Sequence, residues 1–194
     1  MGIYPIQVNF MIQKILLSAV FFALPLSCLK AQTAKPVLDS LIVANERHAN
    51  EDTSKVRLLI NLAEAYRGSN ASKALEISEQ AVALVNKINA PGLLGEALAV
   101  RGLSNSSLQN KTVAIAQTEE AIIAFQRVGN KIGIGRCYMN QAKFYNSLKN
   151  FDQSLECSEK GLKIFTEIDY KSGIATCLNN KGLTNTYLSR KDEA

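Results

Sequence analysis

The stretch that decides the fold is KIGIGRCYMNQAKFYNSLKNFDQSLECSEKGLKIFTEI, residues 131–168. Its first half places Ile134, Cys137, Tyr138, Gln141, Ala142, Tyr145 and Leu148 at i, i+3, i+4, i+7, i+8, i+11 and i+14, and all but Gln141 are apolar or aromatic. That is the period of a helix with one buried face. After Lys149-Asn150 a second stripe runs through Phe151, Leu155, Ser158, Leu162, Phe165 and Ile168. Asn150 is a good N-cap residue, with Gln153 placed as in a capping box. Two amphipathic helices separated by so short a break form a hairpin.

Sliding the chain against itself by 40 residues finds the same hairpin elsewhere. Leu75, Ile115 and Leu155 align, as do Ala81, Ala121 and Gly161, then Ile88, Val128 and Ile168, then Glu96, Arg136 and Thr176. The register holds after a one-residue deletion near Ser69, which makes Ala63 the equivalent of Gly102, Ala142 and Gly182. A fixed period of this size means a repeat array, in which each unit buries its apolar face against its neighbours. The units run over residues 52–90, 91–130 and 131–170, with an incomplete fourth over 171–194. Pro91, Gly133 and Gly173 fall at turns or in first helical turns, where helix breakers are tolerated.

Small residues set the geometry. Ala63, Gly102, Ala142 and Gly182 in the first helices, with Ala74, Ala114, Ser154 and Ala194 in the second, lie where the two helices of a hairpin cross. Close axial approach, near the lower end of ~8–10 Å, requires such side chains. Ala81, Ala121 and Gly161 do the same against the next hairpin, and Tyr66, Phe125, Tyr145, Phe151 and Phe165 fill the spaces between.

The spacing Ala142, Tyr145, Ser154, Gly161 resembles the tetratricopeptide repeat (TPR) pattern, as do Gly102, Asn105, Ala114, Ala121 and the shortened Ala63, Tyr66, Ala74, Ala81. Departures are Asn105 and Asn185 in place of the Tyr, polar Arg101, Gln141 and Lys181 in place of a Leu, no closing Pro, and a period of 40 in place of the family's shorter one. Longer repeats of this kind are similar to those of kinesin light chains and of bacterial, particularly Bacteroidetes-like, signalling proteins. The resemblance covers about residues 52–194 and implies an all-α, right-handed solenoid of antiparallel hairpins. Residues 36–50, with Val37, Leu38, Leu41, Ile42 and Ala44 apolar, are expected to form a helix capping the array.

The chain before the array reads differently. From Met11, a more natural start than Met1, Lys14 precedes the apolar run Ile15–Leu26, and a small residue follows at Ala31. These are the marks of a secretory signal peptide over residues 1–31, cleaved after Ala31. Cys28 after Leu26-Ser27 is a partial lipoprotein box, weakened by Pro25, so lipidation and an uncleaved anchor stay open. The expectation is an exported protein of the periplasm or cell surface. Ala194 falls at the first small position of a second helix, so Ile174, Cys177, Leu178 and Gly182 lack a partner; solenoid ends need a cap, so more chain is expected downstream.

The 194 residues are 47% hydrophobic, with 22 Lys+Arg against 17 Asp+Glu. That composition excludes a disordered chain, and the lack of a second long apolar run excludes a multi-span membrane protein. Setting aside Lys14 and Lys30 leaves 20 basic against 17 acidic residues, interspersed along the helices as solvated faces, so no nucleic-acid partner is expected. A single histidine, His48, read as a surface residue, removes most imidazole-based chemistry. There is no phosphate loop, no metalloprotease motif and no isolated carboxylate pair, so neither catalysis nor a cofactor or metal is expected. Cys137, Cys157 and Cys177 recur every 20 residues, half the repeat, and read as buried small hydrophobes on successive helices too far apart to bridge.

In TPR proteins the residues two, three and six places before the first small position line a concave surface. Carried onto this chain, the resemblance implies Asn61, Asn140 and Asn180; Ile60, Ala99, Met139 and Asn179; and Arg57, Glu96, Arg136 and Thr176. An asparagine amide both donates and accepts, so a ladder of three, interrupted by Val100, could hold an extended peptide backbone, with Arg57 and Arg136 meeting carboxylates. The expectation is a non-catalytic scaffold for a protein or peptide. It is read as the exported sensory part of a bacterial signal-transduction protein whose output domain and membrane helix follow; a free-standing adaptor is the alternative. An enzyme using the three cysteines is a distant third.

Overall fold

The structure is a computed structural model that describes residues 26–192. Residues 1–25 of the expected leader, with Met11 and most of the apolar run, lie outside the described residues, and its last six residues fall within the first helix. The described part is helical throughout: α1 Leu26–Arg47, α2 Thr53–Tyr66, α3 Ala71–Lys87, α4 Pro91–Ser107, α5 Lys111–Arg127, α6 Lys131–Ser147, α7 Phe151–Glu167 and α8 Lys171–Asp192. None of these helices is long and apolar enough to cross a membrane.

The chain divides into two compact units, with the boundary between Ser40 and Leu41, inside α1. Helix α1 begins ten residues before the expected start at Pro36 and ends at Arg47, short of Asn50. Pro36 therefore sits within the helix, where it removes one backbone bond. In the first unit the Ser40 hydroxyl donates to Val37 O at 2.8 Å, and Val37 is exposed. In the second unit, Lys55 Nζ donates to Asn45 O at 2.6 Å and His48 O at 3.0 Å, satisfying carbonyls at the end of α1.

From α2 onward each helix packs on the next in sequence, and the first helices α2, α4, α6 and α8 also pack on one another. Helices α3, α5 and α7 do not touch each other in this way among the described residues. The array is thus tight along its first helices and splayed along its second, which makes the first helices the inner side.

From α3 to α7, every helix ends in the same three-residue turn. Asn89, Gln109, Gly129, Lys149 and Asp169 take positive φ of 50–68°. The next N–H reaches back across the turn: Ala90 to Val85 O, Asn110 to Asn105 O, Asn130 to Phe125 O, Asn150 to Tyr145 O and Tyr170 to Phe165 O, at 2.8–3.0 Å. This is the Schellman closure, and it consumes carbonyls that the helix end would otherwise leave bare. At two of these turns the side chain of the residue after the positive φ then caps the following helix. Asn130 Oδ1 accepts from Gly133 N–H at 2.8 Å and Asn150 Oδ1 from Gln153 N–H at 3.4 Å.

The predicted small positions are buried: Ala63, Ala74, Ala81, Gly102, Ala114, Ala121, Ala142, Ser154 and Gly161. A Cβ on Gly102 would come 3.2 Å from Ala114 O, and one on Gly161 would come 3.1 Å from Cys177 Sγ. Gly182 departs from the set: it is exposed, with nothing within 4 Å of a Cβ, because no second helix faces it among the described residues.

Gly133 and Gly173 are more than tolerated breakers. Phe125 lies between Gly95 and Gly133, and a Cβ on either would come within 2.5–2.6 Å of the ring. Phe165 lies in the same way between Gly135 and Gly173. The register equivalents in the first repeat are Val85, Val56 and Leu93, all buried. A smaller ring position there goes with larger flanking residues, so the volume between successive first helices is kept by exchange.

The polar residues at the usual Leu position are also accommodated. Arg101 on α4 pairs with Glu120 on α5, and Lys181 on α8 with Glu159 on α7, both at 2.9 Å. Gln141 is buried and donates to Ile115 O at 3.5 Å.

Candidate functional site

Helices α2, α4 and α6 enclose a groove on the inner side. Its first section, about 390 Å³, is lined by Ile60, Asn61 and Glu64 from α2, by Glu96, Ala99 and Val100 from α4, and by Arg136 and Asn140 from α6. Each set recurs at the spacing of successive helical turns, which brings them to one face. A second section of about 650 Å³ shares Glu64, Arg136 and Asn140 with the first and adds Arg67, Lys111, Met139 and Lys143. A third, about 420 Å³, lies between α6, the start of α7 and α8, where Lys143, Phe151, Leu183 and Tyr187 meet. There Phe151 and Tyr187 stack with ring centroids 5.8 Å apart.

The predicted site residues divide among these sections. Asn61 and Asn140 both line the first section, and Arg136 joins the first to the second. Met139 opens on the second. Arg57 lines none of the three; it is exposed and lies 3.9 Å from Glu96, which turns it into a partner of an acid already on the protein. Asn179 is exposed on α8 and lines none of them.

Asn180 differs from the expected ladder. It is only 3% exposed, and its Nδ2 donates to Met139 O at 3.3 Å. A second buried polar group stands one turn further along α8. Thr184 is fully buried at the register position of Phe144, and its hydroxyl donates to Asn180 O at 2.8 Å. Asn146 Nδ2 donates to the same hydroxyl at 2.8 Å, and Ser154 Oγ stands 3.1 Å away. A polar cluster thus joins α6, α7 and α8 where the preceding repeat has Ala114, Ile115 and Phe144 in an apolar one. Asn180 still lines the third section, so with its amide engaged at Met139 O the ladder in the first section is Asn61 and Asn140.

Arg67, Lys111 and Lys143 were not among the predicted site residues. Lys143 lies two turns after Arg136 on the same helix, which is a signal within the sequence. Arg67 at the end of α2 and Lys111 at the start of α5 carry none, since each sits beside a turn and reads as a solvated charge. Arg67 Nε is buried without a hydrogen-bond partner.

The remaining candidate chemistry is structural. Cys137, Cys157 and Cys177 are free thiols and buried. Burial pushes the Cys137 thiol up to about 12 and the Cys157 thiol to about 11, and raises that of Cys177 as well, so all are protonated near neutrality. His48 Nε2 lies 2.9 Å from Asp52 Oδ1. Asp52 is the N-cap of α2; the Lys55 N–H it accepts, followed by His48, holds its carboxyl below the usual range. His48 is therefore tied into a helix cap. No group of three or more metal-ligating side chains occurs among the described residues.

No family model matches the sequence, and no curated protein matches it. Solved structures do. BtubC (BKLC) from P. vanneervenii superposes with a TM-score of 0.63 at 17% identity, covering 83% of this chain and 65% of that one. A putative kinesin light chain from Podosopora anserina with nearly identical TPR-like repeats gives 0.60 at 12% identity, covering 84% and 81%. A signal transduction ATPase with numerous domains, carrying a tetratricopeptide repeat sensor, from Pyrococcus horikoshii gives 0.55 at 19%, covering 82% of this chain and 31% of that one. With the repeat register, the uniform hairpins and these likenesses together, the fold is that of a TPR-type repeat protein.

Proposed function

We propose that this chain is a non-catalytic scaffold that holds a protein or peptide segment in the groove of α2, α4 and α6. The observation that carries this reading is the placement of Asn61 and Asn140 on facing helices of one open section, with Arg136 beside them. Each amide can donate to a peptide carbonyl and accept from a peptide N–H, so the pair suits an extended backbone of any sequence. The likeness to TPR-type folds supports a binding role, since such repeats serve as interaction scaffolds.

In the fuller form of the proposal the scaffold is exported, with residues 1–31 as its leader, and serves as the sensory part of a signal-transduction protein. A free-standing adaptor of the periplasm or cell surface is the second reading, and attachment to the membrane through Cys28 or through downstream chain belongs with either. Peptides selected from a random display library against the immobilised chain provide the test. A joint Asn61→Ala and Asn140→Ala variant should bind a selected peptide about tenfold more weakly, from the loss of hydrogen bonds worth about 0.5–1.5 kcal/mol each. Undiminished binding refutes the groove as the site. N-terminal sequencing of the protein recovered from a cell-envelope fraction tests export, and an intact residue 1 on cytoplasmic protein refutes it.

A further inference from the structure

We infer that the second section of the groove selects an acidic segment, so that the partner is a peptide bearing clustered Asp or Glu side chains; this rests on the peptide-scaffold reading above. Four cations converge there from separate parts of the chain: Arg67 after α2, Lys111 at the start of α5, and Arg136 and Lys143 on α6. The acid lining the same section is Glu64. The near-balanced interspersion seen along the sequence is therefore not what a ligand meets, because folding sorts the charges onto surfaces.

Convergence on one concave section, more than pairing state, sets these cations apart, since the exposed Arg47, Arg127, Lys163 and Lys171 likewise hold no carboxylate among the described residues. Lys73, Arg101, Lys131, Lys160 and Lys181 each hold a carboxylate within 4.0 Å. Arg67, Arg136 and Lys143 have no such partner among the described residues, and Lys111 donates only to the backbone and side-chain oxygens of Ser106. Like charges gathered in a concave, partly desolvated groove repel one another and focus a positive potential. A carboxylate-bearing ligand relieves that repulsion, and the arginines can bind it through two parallel hydrogen bonds.

A uniform polyanion fits less well. The adjoining section adds Glu96 to Glu64 alongside Asn61 and Asn140, so a strand charged along its whole length would meet acids as it leaves the basic section. A peptide whose acidic run ends and whose neutral backbone continues satisfies both sections. Lys143 also borders the third section, where Phe151, Leu183 and Tyr187 offer an apolar face to the residues beyond the acidic run.

The test selects random displayed peptides against the full chain and measures the binding of a labelled selected peptide by fluorescence anisotropy. The expected result is an excess of Asp and Glu over the starting pool. Replacing those acids with Gln or Asn should weaken binding about tenfold or more, at the scale of several partly exposed ion pairs, and added salt should weaken it further. The variant Arg136→Glu with Lys143→Glu should lose the acidic peptide to a similar degree while keeping the wild-type melting temperature, since both side chains are on the surface. Lys143→Gln alone, a milder change, should weaken it in the same direction.

Neutral or basic selected peptides, or an amide counterpart that binds as tightly as the acid, overturn the acidic-partner inference while leaving the groove reading intact. Failure to enrich any peptide overturns both. A single-stranded oligonucleotide that binds more tightly than the acidic peptide overturns it in favour of a nucleic-acid partner.

Discussion

Replacing Gly133 by Ala tests whether the Phe125 ring sets the spacing of successive hairpins. The added Cβ would stand 2.6 Å from the ring, and retreat is blocked by Gly95, whose own Cβ position is 2.5 Å from the same ring. Relief requires moving α4, α5 or α6. Overpacking of this kind costs about 1–3 kcal/mol. The better helix propensity of Ala offsets at most ~1 kcal/mol of that. A net loss of about 1–2 kcal/mol corresponds to roughly 2–8 °C in melting temperature for a chain of this length. Gly92→Ala is the control, because nothing lies within 4 Å of its Cβ position; it should gain about 0.4–1 kcal/mol by restricting the unfolded chain. Adding Phe125→Val to Gly133→Ala recreates the small-ring, large-flank combination of the first repeat. The double variant should be more stable than the sum of the single losses predicts, by about 1 kcal/mol. Urea denaturation followed by circular dichroism at the helix band gives all four values. If Gly133→Ala gains as much as Gly92→Ala, the ring does not set the spacing and the volume-exchange argument is wrong.

Buried groups carry three further outcomes. Thiols that burial holds up to about 12 at Cys137 and about 11 at Cys157 should resist thiol reagents at pH 8 until the chain unfolds, and rapid labelling of native protein refutes their burial. Because the unfolded thiols ionise near ~8.5, stability should be flat below that pH and decline as pH rises toward the folded values. Comparing urea midpoints at neutral and alkaline pH in wild type and Cys137→Ala isolates that slope. Thr184→Val removes the hydroxyl shared by Asn146, Ser154 and Asn180 O, and should cost about 1–3 kcal/mol by leaving buried groups unpaired. The exposed Thr186→Val should change little, and equal losses at both sites refute a special role for the cluster.

The hairpins were legible because their causes are local. Apolar period, small residues at the crossings and a cap such as Asn150 all lie within one repeat of the residues they act on. The second role of Gly133 and Gly173 was not, because a glycine near a turn has a sufficient local explanation, and the ring it makes room for is eight residues away on the preceding helix. Asn180 was misplaced for a different reason. Its position matches Asn140, but its amide is spent on Met139 O of the neighbouring helix, a contact between helices that the register along the chain does not contain. The basic section was invisible because Arg67, Lys111 and Lys143 come together only when three helices fold onto one another, a placement no charge count along the chain contains.

The turns carry a consequence for how such a protein can change. Each is closed by main-chain groups, and four of the five residues at positive φ, Asn89, Gln109, Lys149 and Asp169, are not glycine. Side chains at these corners therefore vary without altering where the next helix starts. The spacing between helices is held by the backbone and the small crossing residues, while the groove lining belongs to other positions entirely. Descendants of this chain can exchange one ligand for another by substitutions on the inner face alone, with the frame that presents them left unaltered.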